Sequence, residues 1–436
     1  MRLFKIKKMK YIYSIIIVTV LIIIVAVLIM SPKKQEGNFY GLKPQKLELK
    51  DLKSLKINLD SIKTINIPRS LHENPKDINF SNLLDTCFAI PLETNSDNLI
   101  GHIDEIKIYK GKIYILDITK AKAVFVFNFE GKYLGRIGKN GNGPGEYPQP
   151  EGVEIDKKNQ EILISNAAIR KILRYTLDGK FIGEINPNIG NLDFKILDNG
   201  TIALLGGNQK NEHLGKVANR IIYIIDKSGK IISYGPIASS DYSNIQMMLG
   251  SNSMVNNNGI SYSYNFSDTI YSLNKDEIKA QYRINFENWG IDREKLRSKN
   301  YKEFSDVVFN KSKIVGSFQG FHLQTKDYLY FSYNCGNTWF PCFYNKNQSK
   351  TILGKITSDS CYYTGPFIAA NDDYFIAAAE AARIIEFEKI CAKNKFLSKT
   401  HKVLLKCLKN ESGLKLKDDD NPVLFFYKFK KEYNEN

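Results

Sequence analysis

The residues best suited to chemistry are carboxylate and amide side chains at the ends of short, strand-like runs. Side-chain oxygens of this kind are ligands for Ca²⁺ and Zn²⁺, and a bound metal can polarise a substrate or activate water. The candidates are Asp104, Glu154, Asp156, Asn166, Asp198 and Asn371. Of these, Asp156, in the run EID, is the least suited to bind a ligand, because its position suits a residue that closes a turn at a strand end.

The histidines and cysteines form no ligand pattern. No C-x-x-C occurs and the histidines share no motif, so we predict no metal site, no histidine acid–base pair and no cofactor. The sequence does not decide whether disulfides form. Cys335 and Cys342 are the nearest pair, and buried or free thiols are the alternative. The histidines are His72, His102, His213, His322 and His401.

A glycine-rich segment, GKNGNGPGEYPQPEG at residues 138–152, has the composition of a phosphate-binding loop. A P-loop requires G-K-[ST] at the start of a helix, and a dinucleotide loop requires G-x-G-x-x-G there. Here prolines and another strand-like run follow instead. We therefore interpret the segment as a connection between two strands, in which Glu146 and Tyr147 are the residues that could face a ligand.

The elements that must position these residues are short strands in a repeating order. Units begin near residues 111, 160, 200, 259, 327 and 373, and turn pairs such as Asp178-Gly179 separate their strands. Glycine permits the positive φ that tight hairpins need. Six units of about four strands predict an all-β, six-bladed β-propeller.

The sixth unit is interrupted and lacks one strand. A segment with helical spacing at about 378–410 separates its early strand from NPVLFFYKF at 421–429. The chain has a spare strand, DTCFAIPLE at 85–93, before the first unit. We predict that these two strands pair and close the ring, which removes an open gap in the circle of blades.

An uncharged run of 20 residues, 11–30, is long enough as a helix to cross a hydrocarbon core of about 30 Å. Five basic residues precede the run and two follow it, so we predict a single pass of the inner membrane with a cytoplasmic N-terminus. A cleaved signal peptide is the alternative. The predicted organisation is a basic tail at 1–10, the membrane anchor at 11–30, a stalk and lead-in at 31–82, and the propeller at 83–436.

Three segments carry a family resemblance: IPLETNSDNLIGHIDEIKIYKGKIYILD, VFVFNFEGKYLGRIGKNGNGPGEY and DDDNPVLFFYKFK. They resemble the six-bladed β-propeller proteins abundant in Bacteroidetes, from about residue 84 to the end. The glycine-rich segment and the strands after it also resemble an NHL repeat, whose pattern includes Asp156 and Arg170. The resemblance implies an exported propeller without an assigned activity. It adds Arg170 to Glu146, Tyr147, Asp104 and Asn166 as binding candidates.

The functional prediction is a membrane-anchored, periplasmic propeller that acts as a ligand-binding or protein-interaction scaffold. An envelope protein or a glycan is the expected partner, bound at one mouth of the propeller. The membrane segment separates the domain from nucleic acid, so we predict no nucleic-acid partner. The alternative is a metal-dependent enzyme of the lactonase or lyase type that uses channel-facing carboxylates. The sequence does not distinguish a structural role in an envelope complex from a role as a binding scaffold.

Overall fold

A computed structural model places six β-sheets in a ring, which confirms the six-bladed propeller. No helix within the described residues is long and apolar enough to cross a membrane, and the run at 11–30 lies outside them. The tail, anchor and stalk boundaries remain predictions. The structure describes residues 47, 51–166, 171–191, 193–206, 211–237, 254–256, 259–263, 267–292, 302–303, 306, 315–336, 338–357, 366–393 and 416–434.

Five strands and two short helices precede the first blade. They are β1 (Lys53–Ser54), β2 (Ile57–Asn58), β3 (Lys63–Asn66), α1 (Arg69–Glu73), β4 (Lys76–Asn79), α2 (Phe80–Leu83) and β5 (Leu84–Pro91).

Blades 1 to 3 each consist of four antiparallel strands that run from the ring axis outwards. Blade 1 contains β6 (Glu105–Tyr109), β7 (Lys112–Asp117), β8 (Ala123–Asn128) and β9 (Tyr133–Ile137). Blade 2 contains β10 (Pro150–Asp156), β11 (Glu161–Asn166), β12 (Lys171–Thr176) and β13 (Phe181–Ile185). Blade 3 contains β14 (Asp193–Ile196), β15 (Ile202–Leu205), β16 (Ile222–Ile225) and β17 (Ile231–Tyr234), with a 3₁₀ helix at Glu212–Val217.

Blades 4 to 6 continue the same order. Blade 4 contains β18 (Met254–Asn256), β19 (Ile260–Tyr262), β20 (Thr269–Leu273) and β21 (Ile278–Asn285), followed by a 3₁₀ helix at Glu287–Trp289. Blade 5 contains β22 (Gly316–Gln324), β23 (Tyr328–Cys335), β24 (Thr338–Asn345) and β25 (Lys350–Thr357). Blade 6 contains β26 (Ala369–Ala370), β27 (Tyr374–Ala379), α3 (Ala381–Lys393) and β28 (Val423–Phe429).

Burial differs between the middle and outer strands of a blade for a packing reason. The middle strands are covered by neighbouring blades on both faces, so β8 is buried from Ala123 to Phe127. The outer strand β9 instead alternates between exposed and covered residues. Innermost strands of successive blades contact one another around the axis, and β26 contacts β6 to complete the circle.

The ring closes between the two ends of the propeller sequence, as predicted. β5 pairs antiparallel with β28, with Pro91 opposite Val423 and Phe88 opposite Phe426. The rings of Phe88 and Phe426 are stacked with centroids 4.7 Å apart. Closure therefore joins segments more than 300 residues apart through one antiparallel strand pair.

The predicted helical insertion in the last blade is confirmed for α3. It begins later than the sequence suggested, because Ala377–Ala379 continue strand β27 and pair with β28 as far as Val423. Residues 394–415 lie outside the described residues.

Of the two alternatives that the sequence left open for the nearest cysteine pair, the structure shows free thiols. Cys335 and Cys342 are free and lie on adjacent strands, but Cys335 is opposite Thr338 and Cys342 is opposite Phe331. This offset separates the two sulfurs along the ladder. Cys342 is fully buried, and burial raises the pKa of its thiol.

Residues 51–79, which we call the strap, run along the outside of three successive blades. β1 pairs in parallel with β17, β2 and β3 pair with β21, and β4 pairs with β25. Strap side chains fill the outer seams between blades, where Leu55, Ile65 and Ile78 are buried. The part of the lead-in that the structure describes is thus integrated with the propeller edges.

Candidate functional site in the central channel

All six innermost strands surround a cavity of about 870 Å³ on the ring axis. Its two halves differ in chemistry. Blades 1 to 3 contribute charged side chains from β6, β10 and β14, whereas blades 4 to 6 contribute a largely apolar wall. That apolar wall includes Met254, Val255, Phe321, Leu323, Ile368 and Ile376.

The charged half contains two lysines between three carboxylates. Lys195 Nζ lies 2.6 Å from Asp193 Oδ1 and 3.2 Å from Glu154 Oε1. Lys107 Nζ lies 2.6 Å from the same Glu154 oxygen and 3.6 Å from Glu105 Oε2. Glu154 therefore links the charged residues of three adjacent blades.

Backbone groups hold the outer members of this network. Val153 N–H donates to Glu105 Oε2 at 3.2 Å, and Met254 N–H donates to Asp193 Oδ2 at 3.1 Å. Because β18 carries Met254, the second contact connects blade 3 to blade 4. The network therefore fixes the register of neighbouring inner strands as well as the charge of the channel.

Burial and ion pairing oppose each other in this network. Burial alone would lower the pKa of Lys195, but Asp193 and Glu154 outweigh it and raise that pKa. Burial alone would raise the pKa of Glu154, but Lys107 and Lys195 outweigh it and lower that pKa. Lys195 and Glu154 are each 3% exposed at the side chain, so both remain charged only because they are paired.

A buried histidine occupies the apolar half. His322 Nδ1 lies 3.0 Å from Gly320 O and its Nε2 lies 2.9 Å from Ser261 Oγ, so a neutral ring donates to the carbonyl and accepts from the hydroxyl. Gln324 Nε2 donates to the same hydroxyl at 3.0 Å. Burial lowers the pKa of His322 to about 4. His322 therefore adds no charge to the channel at neutral pH, and the acidic residues of this half are Asp372 and Asp373 in the turn between β26 and β27.

Four of the sequence candidates line the cavity: Asp104, Glu154, Asp198 and Asn371. Asp104 Oδ2 accepts from Ile118 N–H at 2.7 Å. Asn371 Oδ1 accepts two backbone N–H groups of its own turn. The structure thus brings these four residues to one cavity, and only Glu154 belongs to the lysine network.

Asp156 closes a turn, as its sequence context indicated. Its Oδ1 accepts from the N–H groups of Lys158 and Asn159 at 3.1 and 3.0 Å. Its Oδ2 also pairs with Lys227 of blade 3 at 2.5 Å. Asp156 therefore connects blades 2 and 3 through an ion pair.

Two further binding candidates lie away from the cavity wall. Asn166 is buried at the end of β11, opposite Lys171. Arg170 lies outside the described residues.

The glycine-rich segment connects β9 to β10, the outer strand of one blade to the inner strand of the next. The Glu146 side chain contacts the glycine-rich segment itself. Its Oε1 lies 2.8 Å from Lys139 Nζ, and its Oε2 accepts from Gly143 N–H at 2.9 Å. Tyr147 is fully buried between blades 1 and 2, and its hydroxyl donates to Ile137 O at 2.6 Å. Burial raises the pKa of Tyr147 to about 12. Both side chains serve the connection and the core, so neither enters our proposal for a ligand site.

Sequence reasoning missed Glu105, Lys107, Asp193, Lys195 and His322. A usable signal was present in E-I-K-I at 105–108 and D-F-K at 193–195. Alternate residues of a strand share one face, so each pair of charges lies on the side opposite its apolar neighbours. Among the described residues, no three His, Cys, Asp or Glu side chains are grouped to hold a metal ion.

A family model matches most of the chain. The chain belongs to the family described as "Domain of unknown function (DUF4934)", which matches residues 62–428. No curated protein matches the sequence.

Several solved structures are similar to this chain. A Bacteroides fragilis NCTC 9343 protein that is expected to be exported is 19% identical, with a TM-score of 0.67 over 84% of this chain and 100% of that one. A Bacteroides vulgatus member of the DUF4221 family is 13% identical, with a TM-score of 0.46 over 80% and 97%. Virginiamycin B lyase from Staphylococcus aureus is 18% identical, with a TM-score of 0.36 over 63% and 75%. The first likeness supports the fold, and the other two carry no argument.

Proposed function

We propose that this protein is a membrane-anchored, extracytoplasmic binding propeller whose ligand occupies the central channel. The observation that supports this is the cavity on the ring axis, with one charged wall and one apolar wall. Ligand sites in proteins are commonly concave and largely apolar, with a few placed polar groups. A small molecule with a polar edge and an apolar edge matches this division.

The charge of the lining narrows the ligand class. Seven lining residues are acidic and three are lysines, although the whole chain has a net charge of +16. Because acidic side chains outnumber lysines in the lining, and an excess of one charge disfavours ligands of the same sign, we infer a neutral or cationic ligand rather than an anion. Glycans and amino sugars of the cell envelope belong to that class.

The extracytoplasmic location rests on the N-terminal sequence. The uncharged run at 11–30 follows five basic residues, the pattern of an anchor whose N-terminus stays in the cytoplasm. The metal-dependent lactonase or lyase alternative remains a prediction from sequence, and no observation in the described channel favours it over binding.

Filling the channel is expected to abolish ligand binding while the fold persists. Asn256 is exposed within the cavity, so tryptophan there reduces the free volume with little cost to the core. Thermal unfolding is measured with a panel of neutral and amino-containing mono- and disaccharides, alkyl amines and short fatty acids. We expect at least one neutral or cationic compound to raise the Tm of the wild type and to lose that effect in Asn256→Trp.

Asn186→Trp is the matched control, because Asn186 is exposed on the connection between blades 2 and 3. A compound that stabilises wild type and Asn186→Trp but not Asn256→Trp supports the channel site. A compound that stabilises all three equally binds elsewhere, and stabilisation by fatty acids alone contradicts the inferred ligand charge.

The anchor is expected to remain on the mature protein. N-terminal sequencing and intact-mass measurement of the protein from the membrane fraction should place the mature N-terminus before residue 11. A mature N-terminus downstream of Met30 in a soluble fraction would show that the segment is cleaved.

A further inference from the structure

A second cavity, of about 490 Å³, lies beside the central channel and is lined by blades 3, 4 and 5. We call it the side groove, and its lining residues are 197–199, 259–261, 272–277, 281 and 324. Asp198 and Gly259 line both the side groove and the channel, so the two cavities adjoin at these residues. Both volumes are within the range of about 300–1,000 Å³ that is common for ligand pockets.

The backbone at the junction of the two cavities is open. Gly259 has a φ of +98°, and a Cβ added there would meet no atom within 4 Å. Asp198, on the other side of the junction, is exposed in the turn between β14 and β15. A ligand that is longer than the channel therefore has a path past these two residues into the side groove.

Buried polar side chains form the wall between the side groove and the channel. Ser261 and Gln324 line the side groove and are 2% and 5% exposed, and Ser261 bonds to His322 of the channel. Behind them, Lys346 Nζ donates to Gln324 Oε1 at 3.0 Å. Donation thus runs in one direction from Lys346 through Gln324 and Ser261 to His322. These polar groups are held in one orientation, which reduces the entropy lost when a ligand binds.

Two exposed asparagines stand at the rim of the side groove. Asn199 Oδ1 accepts from Thr201 N–H at 3.2 Å, and Asn274 Oδ1 accepts from Asp276 N–H at 2.8 Å. Each contact fixes the orientation of the amide and leaves its Nδ2 group on the opposite side, away from the turn. Half-buried Ser272 adds a hydroxyl between them. The rim therefore offers side chains that hydrogen-bond without carrying a charge.

The acidic residues at the outer end of the side groove already have partners. Lys53 Nζ of the strap lies 2.6 Å from Asp276 Oδ1, and Asn58 Nδ2 of the strap donates to Glu277 Oε1 at 2.7 Å. These carboxylates are thus engaged in holding the strap against blade 4. Hydrogen bonding by amides and hydroxyls, rather than attraction of a cation, is the chemistry that the side groove provides.

We propose that the ligand is a linear oligosaccharide that extends from the channel into the side groove, with at least one sugar unit in each cavity. The proposal rests on the proposed function, because it extends the ligand of the channel. Sugar hydroxyls both donate and accept, as do the amide and hydroxyl side chains of the side groove. The apolar face of a sugar unit matches the buried side chains of Leu197, Ile260 and Leu273, which form the floor.

The same lining does not match the ways in which proteins recognise peptides. Peptides add to strand edges, lie in apolar or aromatic grooves, or bind to arginine clusters. None of the described lining residues of the side groove is aromatic or arginine. The outer edge of blade 4 is already paired with β2 and β3 of the strap. A saccharide is therefore the chain-like ligand that the side groove fits.

Isothermal titration of the full-length protein in detergent tests the proposal. The probes are the mono- to tetrasaccharides of glucose, glucosamine and N-acetylglucosamine. In at least one series, the tetrasaccharide should bind about tenfold or more tightly than the monosaccharide, the effect of two or three additional hydrogen bonds.

Asn199→Trp should remove this gain with length and leave the affinity for the monosaccharide unchanged, because Asn199 lines the side groove but not the channel. Asn186→Trp is the matched control. Both asparagines are exposed, and each Oδ1 accepts the N–H two residues further along, but Asn186 lines neither cavity.

Ser272→Ala is a second variant that removes a hydroxyl without adding volume. Its Oγ makes only a long contact, 3.4 Å, with Lys279 O, so the fold should lose little. We expect the affinity for the tetrasaccharide to fall about threefold or more while the affinity for the monosaccharide stays constant. The Tm of each variant checks that the propeller remains folded.

The outcomes separate this proposal from the channel site. Equal affinity for mono- and tetrasaccharides in the wild type, or a gain with length that persists in Asn199→Trp, would overturn the oligosaccharide and leave the channel site standing. Binding of tri- and tetra-alanine in place of saccharides would overturn the ligand class. If no saccharide binds, the oligosaccharide is overturned, and the channel site then stands only if an alkyl amine stabilises the wild type but not Asn256→Trp.

Discussion

Replacing Lys195 by methionine is expected to lower the free energy of unfolding by about 3–5 kcal/mol. The side chain is 3% exposed and its Nζ lies between Asp193 and Glu154. Methionine preserves most of the volume but removes the charge, so Asp193 loses its closest cation inside the channel. Urea unfolding followed by circular dichroism measures the change.

Lys171→Met is the matched control for this prediction. Lys171 also forms a lysine–carboxylate pair, with Glu184 at 2.5 Å, but its side chain is 31% exposed. Solvent screens such a pair, so its loss should cost at most about 1 kcal/mol. Adding Asp193→Asn to Lys195→Met should recover part of the stability, because the uncompensated carboxylate is then absent. Equal losses for the two methionine variants would contradict the assigned role of the channel network.

Acidification is expected to destabilise the propeller by about 3 kcal/mol through His322 alone. The pKa of this ring is lowered from 6.5 to about 4 because the ring is fully buried. Between these values the unfolded chain binds a proton that the folded chain does not bind. The stabilisation is therefore complete above pH 6.5 and is lost as the pH falls towards 4.

The test compares wild type with His322→Gln, since carboxylates also titrate in this range. The free energy of unfolding is measured for both from pH 8 to pH 4. The difference between the two curves should be constant above pH 7 and should shrink by about 3 kcal/mol on the way to pH 4. A difference that stays constant over the whole range would show that His322 is not held neutral by burial.

Ring closure was predictable because each of the two closing strands can be recognised from its own short segment of sequence. NPVLFFYKF lacked a partner in its own unit, and DTCFAIPLE preceded the first unit without one. Strand propensity and the count of four strands per blade are properties of short segments. Their pairing follows once the number of blades is known.

The channel network was not predictable to the same degree. Alternation places Glu105 and Lys107 on one face of a strand, but it does not specify what that face meets. The neighbours of Lys107 and Lys195 come from three blades, and Glu154 lies between both lysines. Those distances depend on the relative register of inner strands that are about 45 residues apart.

The glycine-rich segment also has one property that the sequence predicts and another that tertiary contacts decide. Its prolines and glycines determine that it turns and connects strands, whereas the orientation of Tyr147 depends on the blade packed against it. A tyrosine in a loop faces solvent or the core according to the tertiary contacts available, and Ile137 O and the core between blades 1 and 2 are available here.

The sequence by itself determined the all-β class, six blades, the closing strands and the place of the helical insertion, because periodicity and turn residues act over a few positions. Only the tertiary structure decided which charges share the channel and that residues 51–79 cover three outer edges. Those features arise from contacts between segments far apart in the chain, whose register no local pattern specifies.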